Sequence, residues 1–137
     1  MERELDAEGQ LRLIEGAPQL NEAAGVRERV LGVLSSAAVL TVMAAASMNG
    51  ISVALGASAI AAVAAVMIGW YWFHLSATRR RPHTAVENAV LVFSTMMVGA
   101  PGSKILWNNP APSTDSWIAA SLPAASFLAY LVLRWRR

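Results

Sequence analysis

Residues 30–73 read VLGVLSSAAVLTVMAAASMNGISVALGASAIAAVAAVMIGWYWF, forty-four positions without a charged side chain. A helix needs about 20 apolar residues to cross a bilayer, so this stretch is long enough for two crossings. Asn49-Gly50 is a strong turn pair near its middle. Backbone in lipid must satisfy its own hydrogen bonds, which makes two helices joined by a tight turn the expected form. The first span then covers about 30–48 and the second about 51–73.

Two further apolar blocks follow. One runs from Ala85 to Ala100, where Pro101-Gly102 interrupts it; 101–107 either continues the span or lies along the surface. The other covers 116–133 and contains Pro123. The chain has 137 residues, 55% hydrophobic and 15% charged, against about 25% charged in soluble domains. The expectation is an all-α integral membrane protein with four transmembrane helices arranged as two helical hairpins. Residues 1–25 form an acidic cytoplasmic segment and 26–137 the membrane domain.

The bases give the orientation. Arg27 and Arg29 precede the first span, Arg79, Arg80 and Arg81 separate the second from the third, and Arg134, Arg136 and Arg137 follow the fourth. Four crossings put all of these on one face and leave only Lys104 on the other. Bases in short loops are retained in the cytoplasm, so both termini are expected there, in a cell (inner) membrane. Trp70, Trp72 and Trp135 fall at the cytoplasmic ends of spans, and Trp107 and Trp117 flank the outer loop, as interfacial belts do. A pI of 9.7 does not imply nucleic acid, because the bases sit beside apolar blocks.

The first 25 residues hold Glu2, Glu4, Asp6, Glu8, Glu15 and Glu22 against Arg3 and Arg12. This is not the basic opening of a secretory signal, so the first block is expected to remain as a span. Residues 2–15 read as a short polar helix with a partial apolar face (Leu5, Leu11, Leu13, Ile14), ended by Gly16 and Pro18. Asn21 suits the cap of the next helix, which would continue through Arg29 into the first span.

Reactive chemistry is sparse. Cysteine is absent, which excludes thiolate sites and disulfides. Glu87 is the one acid beside an apolar block, but Thr84-Ala85-Val86-Glu87 is a capping-box pattern, so its first expected role is structural. His74 and His83 flank the arginine triplet. A zinc site would need a third ligand, with only Glu87 near, so neither a metal nor another cofactor is expected. Pro101-Gly102-Ser103-Lys104 lacks the first glycine of a phosphate loop. Enzyme activity is not expected.

Packing is the more informative signal. Gly32 and Ser36 in the first span, and Ala54, Ser58 and Ala62 in the second, recur every four residues, as do Ala57, Ala61 and Ala65. Small residues at this spacing let helices approach closely in lipid. Ser35, Ser94, Thr95 and Ser126 are candidates for interhelical hydrogen bonds, and the spans are expected to hold no buried charge. Three functions fit: a holin-like or pore-forming homo-oligomer, an accessory or assembly subunit of a larger membrane-protein complex, and a small-solute channel or transporter. The first is preferred, and the bilayer is the partner common to all.

Overall fold

The computed structural model describes residues 23–49, 51–76, 82–107, 109 and 112–136. Every regular element among them is helical: α1 Val26–Met48, α2 Val53–Ser76, α3 Ala85–Met97, α4 Gly99–Leu106 and α5 Ser113–Trp135. Taking α3 and α4 as one span, there are four helices long and apolar enough to cross a membrane. The protein is a small multi-pass membrane protein. The acidic segment 1–22, with its expected helix and Asn21, lies outside the described residues, as do Arg79, Arg80, Arg81 and Arg137.

Local chemistry sets the ends. α1 begins at Val26 after Gly25 in extended conformation, and residues 23–25 are not helical, so the helix starts later than a cap at Asn21 would place it. It ends where Asn49 turns its backbone N–H and its side-chain amide onto the carbonyl of Ala45. Ser52 Oγ accepts the Leu55 N–H at the start of α2. Thr84 and Glu87 form the capping box that opens α3. The regular helix of the third span is interrupted at Val98, whose N–H turns to Thr95 and not to the residue four positions back. Pro101, one turn on, has no N–H to give Met97, so the ladder breaks there and resumes with Gly102 donating to Val98. Residues 101–106 thus continue the span as α4. Pro123 is accommodated inside α5.

α5 is the centre of the bundle. Its buried positions include Ser116, Ala120, Pro123, Phe127, Tyr130 and Arg134, alternating steps of four and three. α1 meets it with Gly32, Ser36, Val39 and Met43 on the same rhythm. The most extensive packing is α1 on α5 and α3 on α5, whereas α1 and α2 touch sparingly. The first two spans are joined through residues 49–52 and meet through Trp70–Ser35 and His74–Glu28, but α1 packs more extensively on α5 than on α2. The reason is Gly32, where a Cβ would lie 2.5 Å from the Trp135 ring and 3.1 Å from Leu131; the missing side chain brings α1 against α5 instead. α2 joins the bundle along one seam, Gly56, Val63, Met67 and His74, and packs about equally on α4 and α1.

The hydroxyls behave differently from expectation. Ser94 donates to Val90, Thr95 to Leu91 and Ser126 to Leu122, all carbonyls of their own helices. In lipid the preceding turn is the nearest acceptor, and a short hydroxyl takes it. Only Ser35 of the four makes an interhelical bond, accepting from Trp70 Nε1 at 3.0 Å.

Candidate functional site

Each span brings polar side chains to one end of the bundle, for a reason that starts with helix electrostatics. Acids are favoured in a helix's first turn and bases in its last. Glu28 lies in the first turn of α1 and Glu87 in that of α3; His74 lies in the last turn of α2 and Arg134 in that of α5. Successive antiparallel spans place the starts of α1 and α3 beside the ends of α2 and α5. The acids and bases consequently meet.

Two connected groups result. Arg134 Nη1 lies 3.2 Å from Glu87 Oε2, with the two side chains 2% and 3% exposed. Glu87 also accepts the Thr84 N–H at 2.9 Å, so one carboxylate serves both the cap and the ion pair. This corrects the expectation that the spans hold no buried charge. Arg134 stood in the sequence as a topology-setting base, but its guanidinium is engaged inside the protein. Arg136, two residues beyond, is exposed.

The second group is a chain of four. Glu28 Oε1 lies 3.1 Å from His74 Nε2, His74 Nδ1 lies 3.2 Å from Tyr130 Oη, and Tyr130 Oη lies 2.9 Å from His83 Nε2. His74 and Tyr130 are buried, Glu28 and His83 half-buried. The His83 and Tyr130 rings are parallel, with centroids 6.1 Å apart, and His83 also lies against Tyr71.

Donor and acceptor inventory fixes what this chain can do. A tyrosine hydroxyl carries one hydrogen, so Tyr130 can donate to only one of its two histidines. With Glu28 ionised and His74 neutral, Nε2–H donates to Glu28 and Nδ1 accepts from Tyr130, which then accepts from His83. A second proton on His74 makes Nδ1 a donor and turns the Tyr130 hydroxyl toward His83. The direction of one hydroxyl therefore reports the charge of His74. Among the described residues no three His, Asp or Glu side chains cluster as metal ligands.

Replacing Tyr130 by phenylalanine keeps the ring against Phe127 and removes the link between the histidines. Thermal unfolding in mild detergent should register a loss of about 1–3 kcal/mol, the cost of stranding buried polar groups. An unchanged transition would mean that the hydroxyl contributes nothing to holding α2 and α5 together.

The other residues singled out in the sequence separate into inner and outer sets. Gly32 and Ser36 are buried at the α1–α5 contact, whereas Ala54, Ser58 and Ala62 are exposed on α2. Trp72, Trp107 and Trp117 are exposed at span ends. Trp70 and Trp135 turn inward instead: Trp70 bonds Ser35, and Trp135 covers Gly32 with its indole nitrogen buried. Glu28 and Tyr130 were the residues that sequence reasoning missed, and His74 was weighed only as a metal ligand. The usable signal was the placement of opposite charges at adjacent helix ends. No protein-family model, no curated protein and no solved structure matches the chain.

Proposed function

We propose that this protein works by lateral assembly in the membrane, with α2 as the helix that meets other spans. One observation carries the reading. α2 is the most apolar span and the least buried, with 17% of its most apolar stretch covered against 44% for α5, and both its small-residue rows face outward. Open small-residue rows are what helices in lipid pack through. Both termini and the polar cluster are taken to lie on the cytoplasmic side, in a cell (inner) membrane, on the strength of the arginines. The chain is read as non-enzymatic.

Two assemblies compete. A holin-like pore would have to form between copies, since Met43, Met67, Phe127, Tyr130 and Leu131 fill the interior of a single bundle. That filling also weighs against a solute path through one chain. A water-filled wall between copies would need polar groups on the outer face. The α2 row offers Ser58, whose hydroxyl already donates to Ala54 at 2.9 Å. This favours the dry contact of an assembly or accessory subunit over the pore.

Changing Ser58 to leucine should abolish crosslinking along the 54–62 row and leave thermal stability within about 0.5 kcal/mol, since the position is exposed. Unaltered crosslinking would remove α2 as the assembly face. Expression in bacteria then separates the two forms. An abrupt loss of membrane potential supports the pore, and co-purification of a larger membrane protein with the potential intact supports the subunit.

A further inference from the structure

We propose that the groove between α1 and α2 is a binding site for an anionic phospholipid. The sparse contact between these helices leaves an opening of about 580 Å³, within the usual range of roughly 300–1,000 Å³ for ligand sites. Arg27 and Glu28 stand at its mouth; Leu31, Val66, Gly69 and Phe73 form its apolar walls. Ser35 and Trp70 line its far end.

The groove has the polarity of one lipid molecule. From Arg27 to Ser35 it runs about 12 Å along α1, close to the ~15 Å depth of a single leaflet. A transmembrane helix would need a groove through both leaflets, so a partner span does not match its length. The walls carry little that seeks water: Trp70 Nε1 donates to Ser35 Oγ at 3.0 Å, and Ser35 donates in turn to the Leu31 carbonyl at 2.8 Å. At the mouth the Glu28 carboxylate is turned to His74. Arg27 is exposed at headgroup depth, with Arg29 and Arg136 exposed at the same end of the bundle. Basic pockets between spans recognise anionic headgroups in this way, while acyl chains cover the apolar wall. The site lies in the half of α2 that carries Gly69, away from the 54–62 row, so the two surfaces can be tested separately.

Gly69 makes the test clean. A Cβ there meets nothing within 4 Å and Gly69 lines the groove, so a larger side chain has room to enter it. The full chain in mild detergent is titrated with palmitoyl-oleoyl phosphatidylglycerol or phosphatidylcholine and read by native mass spectrometry. The native protein should retain one phosphatidylglycerol and hold phosphatidylcholine more weakly. Gly69→Leu should weaken retention about tenfold by occupying the chain site. Arg27→Gln, on an exposed residue, should weaken it about fivefold and erase the headgroup preference. Gly99→Leu, also in open space but on α4, should bind as the native chain does. Native-strength retention by Gly69→Leu, or equal binding of the two lipids, would overturn the proposal. So would a dimer that disappears with Gly69→Leu, because a second copy would then be the occupant.

Discussion

Arg134→Leu is expected to destabilise the protein by about 3–5 kcal/mol, the usual cost of leaving one charge of a buried pair behind. The Glu87 carboxylate would remain almost wholly buried, 3.2 Å from where the guanidinium was. The Thr84 N–H, which the carboxylate also accepts, is a neutral backbone donor and does not replace the lost positive charge. Glu87→Gln tests the other side: its amide oxygen still accepts the Thr84 N–H, so the cap survives while Arg134 loses its counter-charge. The double variant should be closer to native than either single change, since replacing a buried pair by neutral groups is often tolerated. Reversible unfolding in mixed detergent, run as a double-mutant cycle, reads the coupling directly; it should exceed the cost of the larger single change, about 3–5 kcal/mol. A coupling near zero with a stable Arg134→Leu protein would mean that the arginine reaches into the headgroups instead.

The distribution of acids and bases also explains how much the sequence disclosed. Spans are legible because length and uncharged composition decide them, and those are local properties. The blocks at 30–48 and 51–73 fall within a few residues of α1 and α2, with α2 continuing through His74 to Ser76. The capping box at Thr84–Glu87 was legible for the same reason, its residues being three apart. Partner choice is not local. Ala54 and Gly32 look alike as members of small-residue rows, yet one faces outward and the other meets Trp135. The difference lies in residues more than eighty positions away.

The candidate site was half visible. His74, His83 and Glu87 stood out together as a possible metal set and Arg134 as a topology-setting base, but the pairing of Glu87 with Arg134 and of His74 with Glu28 was not visible. Glu28 and His74 are separated by 46 positions and Glu87 and Arg134 by 47, so no sequence window contains either pair. What joins them is the alternation of span direction, which converts a preference about helix ends into contacts between helices. Tyr130 reads as one more apolar-face residue until α5 is seen to be the central helix.

Gly56→Val should cost about 2–3 kcal/mol, placing it among the more damaging overpacking changes. α2 has few contacts with the bundle, and at Gly56 it lies directly against Ile105 of α4. A Cβ at this position would overlap the Cγ2 methyl of Ile105, a branched side chain that is 2% exposed and has no room to swing away. Helix propensity pulls the other way, since glycine is about 1 kcal/mol worse than alanine inside a helix. Gly56→Ala should therefore cost less than Gly56→Val, the propensity gain offsetting part of the overlap. Ile105→Ala placed on Gly56→Val should restore part of the loss by removing the atoms that collide. Gly69→Val supplies the control, because it lies on the same helix in open space and should be neutral or slightly stabilising. Thermal unfolding of the four variants in one detergent decides the matter. If Gly56→Val and Gly69→Val unfold alike, α2 is not held against α4 at this point, and the outward orientation of its small-residue rows loses its anchor.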